Sequence, residues 1–104
     1  MPLKTPSLTR AGILKALRGH NALLRKHSVR RIGLFGSYAR GRQERGSDID
    51  FLVDFGEPTY DNFIDLSVSL ERLFRRKVEL VTSRSLSPHV KPFVEREVAW
   101  HEVR

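Results

Sequence analysis

A chain of 104 residues has room for one small hydrophobic core and not for two, so any chemistry it performs is built within one domain spanning residues 1–104. Its 39% apolar and 30% charged residues suit a folded protein, no apolar run nears the roughly 20 residues that span a bilayer, and no signal-peptide-like stretch opens the chain, so a cytoplasmic location with no membrane contact is expected; the absence of cysteine excludes disulfide frameworks, thiol nucleophiles and cysteine-based zinc sites. The formal charge of +7 is uneven: residues 1–47 hold eleven Lys or Arg against the single acid Glu44, whereas residues 48–104 hold eight against eleven acids, placing a basic half beside an acidic one.

Residues Pro2 to Pro6 read as a frayed start. From Thr9 to Lys26 the apolar residues Ile13, Leu14, Leu17 and Leu24 recur at helical spacing, which predicts one amphipathic helix with Ser7 or Thr9 as its N-cap. Val29 to Phe35 is rich in branched and aromatic residues and runs into Gly36, the pattern of a buried strand entering a turn, with a short helix starting at Ser37. Ile49 to Phe55 alternates, so that Ile49, Phe51, Val53 and Phe55 share one face while Asp48, Asp50, Leu52 and Asp54 share the other.

After Gly56 and Pro58, the residues Phe63, Leu66, Leu70, Leu73 and Phe74 trace a second long helix. Val78 to Thr82 is a short strand with Glu79 and Val81 on one face. Ser87 ahead of Pro88 resembles an N-cap, and Val90, Phe93, Val94 and Val98 fit a last helix whose start Pro92 blurs. The order helix, strand, short helix, strand, helix, strand, helix predicts a small α/β (α+β) domain: a mixed sheet of at least three strands with helices mainly on one face. Strand order and direction are not legible. The four histidines, His20, His27, His89 and His101, are too scattered for a metal site and are expected at the surface or in interfaces.

Chemistry concentrates in Gly36-Ser37-Tyr38-Ala39-Arg40-Gly41 and Ser47-Asp48-Ile49-Asp50. A glycine and serine where a strand meets a helix offer free backbone N–H groups to a phosphate, and glycine permits close approach. Two aspartates at i, i+2 on a strand project from one face with Cβ atoms roughly 7 Å apart, within reach of one shared divalent cation, for which Mg²⁺ is the natural choice. Should Glu79 face the same way from the neighbouring strand, the trio could hold two ions about 3.5 to 4 Å apart, the arrangement of in-line nucleotidyl transfer. Arg40, one turn after Ser37, could meet phosphate or pair with Asp48 or Asp54. Tyr38 is expected in the core, and Phe93 and Trp100 as core or interface anchors.

Gly36-Ser37, ten residues, then Asp48-Ile49-Asp50, with an acid on the next strand, resembles the signature of the polymerase-β-like nucleotidyltransferase superfamily. From Ile32 to Val98, including Val78-Glu79-Leu80-Val81-Thr82 and Ser85-Leu86-Ser87-Pro88, the chain is similar to the minimal nucleotidyltransferases encoded beside HEPN-domain proteins. The resemblance implies that Gly36 and Ser37 contact the triphosphate of ATP or another NTP, and that Asp48, Asp50 and the third-strand acid bind Mg²⁺. That third position is commonly Asp in the family and is Glu79 here.

It further implies an antitoxin that transfers AMP to a hydroxyl, a tyrosine, on a HEPN toxin held in a hetero-oligomer, since 104 residues leave no room for an acceptor-gripping domain. Glu79 in place of Asp keeps open a binding module that neutralises its partner by contact alone. Direct nucleic-acid binding is not expected, because no aromatic-interleaved basic strand or recognition helix accompanies the basic half.

Overall fold

The computed structural model describes residues 8–44 and 46–103. Ser7 and the stretch from Pro2 to Pro6, named above, lie outside the described residues. The elements in chain order are α1 (Arg10–Gly19), α2 (Asn21–Lys26), β1 (Val29–Phe35), α3 (Gly36–Arg40), β2 (Ile49–Phe55), α4 (Tyr60–Phe74), β3 (Val78–Thr82), a single 3₁₀ turn at Ser83–Ser85, α5 (Lys91–Glu97) and β4 (Ala99–Glu102). The sheet runs β3-β2-β1-β4, with β1 antiparallel to both β2 and β4 and β2 parallel to β3.

The predicted first helix is two. Thr9 caps α1, its hydroxyl accepting from Gly12 N–H at 3.0 Å. At His20 the backbone leaves helical geometry while its Nδ1 sits 2.7 Å from Ala16 O, and the chain restarts as α2. Periodicity missed the break because Leu24 still falls on the buried face after it. His27 is a second departure: it is buried, with Nε2 3.2 Å from Ser69 Oγ, rather than at the surface.

Both central strands begin and end where the pattern put them, and the alternation explains the core. Ile49, Phe51 and Val53 of β2 join Ile32 and Leu34 of β1 on one face, closed over by Ile13, Leu17, Leu24, Leu66 and Leu70, all without solvent exposure. Tyr38 completes this core, as expected. On α4, Thr59 caps the start by accepting from Asn62 N–H at 3.1 Å, and Arg75 ends the helix in left-handed geometry at φ 53°. Glu71 then accepts from Val78 N–H at 3.0 Å, so the helix end holds the start of β3. Phe51 and Phe74 pack ring to ring at 5.8 Å, tying α4 to the strand that carries the aspartates.

The opposite face of the sheet is less bare than the alternation suggested. Leu52 is buried there, outside the main cluster, and so is Val94 of α5. Between them and the edge lies Gly33, where an added Cβ would run into Val98 and would sit 2.9 Å from Trp100 Cε3. The last helix starts at Lys91 with Pro92 in its first turn; Ser87 caps only the turn before it, accepting from Val90 N–H at 3.3 Å. Strand β4 was not predicted: three residues of intermediate burial followed by an exposed one carry no alternation. It adds the edge beside β1, pairing Trp100 with Gly33.

Because the Gly33 surface is already filled, Gly33→Ala should destabilise the fold by roughly 1–3 kcal/mol, the usual cost of overpacking. Urea denaturation measures this, and a midpoint unchanged from the natural chain would contradict the close seating of Val98 and Trp100.

Candidate active site

The antiparallel register of β1 and β2 sets Phe35 opposite Asp50, and the parallel register of β2 and β3 sets Asp50 beside Glu79. Successive strand residues alternate faces, so Val78 and Leu80 turn into the core while Glu79 shares the face of Asp50. Asp48 lies one residue ahead of β2 and is exposed, Asp50 is half-buried, and Glu79 is exposed. The β2–β3 register thus brings Asp50 and Glu79 together, and Asp48, just ahead of β2, is near enough for its charge to act on Asp50. Among the described residues, as their side chains stand, no group of three His, Asp or Glu is placed so that it could hold a metal ion.

Electrostatics mark Asp50 as the centre. Its carboxyl is pushed up from an ordinary 3.8 to about 6, most of all by burial, then by the charges of Glu79 and Asp48 and a hydrogen bond with Glu79, against the opposing pull of Arg40. Three acids whose central member resists ionisation are oxygen donors lacking a counter-charge, which fits a hard divalent cation.

Gly36 adjoins this cluster. It adopts φ +74°, and a Cβ there would land on the Asp50 carboxylate, so both backbone conformation and space require glycine. Ser37 follows, half-buried in the first turn of α3, and its carbonyl accepts from Arg42 N–H at 2.8 Å as the chain curls through Gly41 at φ 68°.

Arg40 pairs with neither aspartate considered from sequence. Its Nη1 donates to Glu97 Oε2 at 3.0 Å, and Glu97 Oε1 accepts from Gly36 N–H at 3.1 Å. Asp54 instead takes Arg31 as its partner, and the Arg31 guanidinium lies 3.8 Å above the centre of the Trp100 ring. Glu97 is the residue that sequence reasoning missed. Sixty-one residues beyond the glycine, on a helix whose start Pro92 blurs, it gave no local signal of meeting the Gly36 turn.

A glycine-serine turn, Asp50 on β2 with Asp48 one residue ahead of that strand, and a glutamate beside Asp50 on β3 make up the candidate site. The chain belongs to the nucleotidyltransferase domain family, whose profile matches residues 18–101. It is 43% identical over 95 residues to the protein adenylyltransferase MntA of Thermococcus cleftensis, covering 89% of this chain and 96% of that one. A solved structure described as a minimal nucleotidyltransferase superposes with a TM-score of 0.70 at 35% identity, over 83% of this chain and 93% of that one. A complex of a tri-AMPylated HEPN toxin with its MNT antitoxin, from Shewanella oneidensis, is similar at a TM-score of 0.60 and 25% identity, over 83% of this chain and 68% of the other.

The raised pKa of Asp50 has a definite sign for stability. The folded chain binds that proton more tightly than the unfolded chain, so the stabilisation is complete below pH 3.8 and is lost as pH rises through about 6. In metal-free buffer Asp50→Asn should therefore raise the thermal midpoint at pH 8, with the gain shrinking towards zero near pH 4. Scanning calorimetry across that range checks it, and a gain independent of pH would contradict the crowded carboxyl.

Proposed function

We propose that this chain is a Mg²⁺-dependent protein adenylyltransferase of the antitoxin type, which transfers AMP from ATP to a tyrosine hydroxyl of a HEPN-domain toxin and so silences it. The observation that carries the reading is Asp50 beside Glu79 on adjacent strands, with the charge of Asp48 acting on Asp50 and Gly36 packed against its carboxylate. The similarity to a named protein adenylyltransferase and to an antitoxin bound to an AMPylated HEPN toxin supports the acceptor and the nucleotide.

Gly36 N–H and the Ser37 hydroxyl hold the triphosphate, with Arg40 as a cationic contact, and Asp48, Asp50 and Glu79 hold the metal. Bound there, Mg²⁺ would supply charge neutralisation for the triphosphate and the leaving pyrophosphate. The acceptor oxygen bonds to the α-phosphorus as the bond from that phosphorus to the bridging oxygen of the β-phosphate breaks; pyrophosphate leaves and the hydroxyl proton passes to solvent water. The chain's contribution is positioning and charge, as in other phosphoryl transfers. The acceptor arrives on the partner, for which α5 offers Phe93, 68% exposed, as an apolar anchor.

Mass spectrometry of a co-expressed HEPN partner after incubation with ATP and Mg²⁺ tests the reading. The natural chain should add AMP mass, and Asp48→Asn with Asp50→Asn should slow transfer by about a hundredfold or more, the value of several kcal/mol of lost charge stabilisation. Glu79→Gln should be nearly as damaging. The double variant should still co-elute with the partner, because its core residues Ile49, Phe51 and Val53 are untouched. Modification at the natural rate by the double variant would contradict the mechanism, and neutralisation with no modification by either protein would favour a contact-only antitoxin.

A further inference from the structure

Glu97 ends α5 where the preceding reading places the triphosphate. Its carboxylate accepts from Gly36 N–H at 3.1 Å and from Arg40 Nη1 at 3.0 and 3.3 Å. A backbone N–H beside a guanidinium is the donor pair that a phosphate oxygen would use, and a carboxylate satisfies it with the same chemistry. The donor on Gly36 points at one acceptor, so Glu97 and a phosphate cannot both occupy it in this geometry.

The side chain of Glu97 is 27% exposed, against 49% for both members of the Lys91–Glu95 pair on the same helix. Its charge is therefore less screened than that of Glu95 and acts more strongly on an anion entering beside it. As the last residue of the helix with a path to solvent, it can turn outward by rotation of its own side chain while Val98 stays seated over Gly33.

We propose that Glu97 is an internal competitor for the triphosphate: it holds Gly36 N–H and Arg40 in the nucleotide-free chain, and nucleotide enters by displacing it. Glu97 is thus a positioning residue whose charge sets how tightly the chain holds ATP, and through which α5 senses whether the cradle is filled. This rests on the assignment of Gly36 and Arg40 to the triphosphate.

Calorimetric titration of ATP, and separately of inorganic tripolyphosphate, in Mg²⁺ buffer tests it. Glu97→Gln keeps the shape and an acceptor oxygen but removes the charge, so it should bind both ligands about tenfold more tightly, the scale of one charge-assisted hydrogen bond. Glu95→Gln removes the same charge from the same helix and should keep the natural affinities. Glu97→Asp, with the charge on a shorter arm, should fall between the natural chain and Glu97→Gln, and it serves alone should the glutamine variant not fold.

A merely structural clasp between α5 and α3 would not tighten binding when weakened. Equal affinities for the natural chain and Glu97→Gln, or looser binding by the variant, overturn the proposal while leaving the transferase reading intact. Failure of the natural chain to bind either ligand overturns the triphosphate assignment and the proposal with it.

Discussion

The repulsion among Asp48, Asp50 and Glu79 is the constraint to which the rest of the structure answers. Carboxylates do not gather on one sheet face unless strand pairing compels them. Here the Asp50–Glu79 register is compelled from the other side, by Phe51 against Phe74 and by Val78 and Leu80 turned into the core. A one-residue slip of β3 would bury Glu79 and expose Val78, at a cost in desolvated charge that fixes the register. Burial of the apolar face thus holds the acids together, and Asp50, pushed up to about 6, bears the strain.

The glycine turn is subordinate to that cluster. Gly36 directly follows β1, whose last residue, Phe35, pairs with Asp50 near the start of β2, and the Asp50 carboxylate fills the space where any larger residue would put its Cβ. The glycine turn is therefore held against the Asp50 carboxylate by backbone pairing rather than by a loop that must find its place. From the far side, Glu97, the last residue of α5, accepts from Gly36 N–H and from Arg40, so that α5 is tied to the same turn.

Elements with strong periodicity were legible in the sequence, and so was the shared face of Asp50 and Glu79. β1 and β2 have the predicted bounds because branched residues and strict alternation coincide there with turn residues at the ends. Glu79 could be placed on the correct face because Val78 and Leu80 flank it. What failed is long-range. The break at His20 leaves the apolar stripe intact, β4 exists only because β1 offers it an edge, and the partners of Arg40 and Asp54 are set by α5 and by the β1–β2 pairing. No local window of sequence contains those meetings. Family resemblance named the chemistry, but the clasp between Glu97 and Gly36 joins residues 61 positions apart and had to be seen in the fold.

The central claim is that three carboxylates repel one another on this face and that a divalent cation relieves them. Carbon-13 NMR titration of the Asp50 carboxyl, with and without Mg²⁺, addresses it most directly. The account predicts a midpoint of about 6 in metal-free buffer that falls towards the ordinary aspartate range when Mg²⁺ is present. An ordinary midpoint that Mg²⁺ leaves unmoved would contradict it.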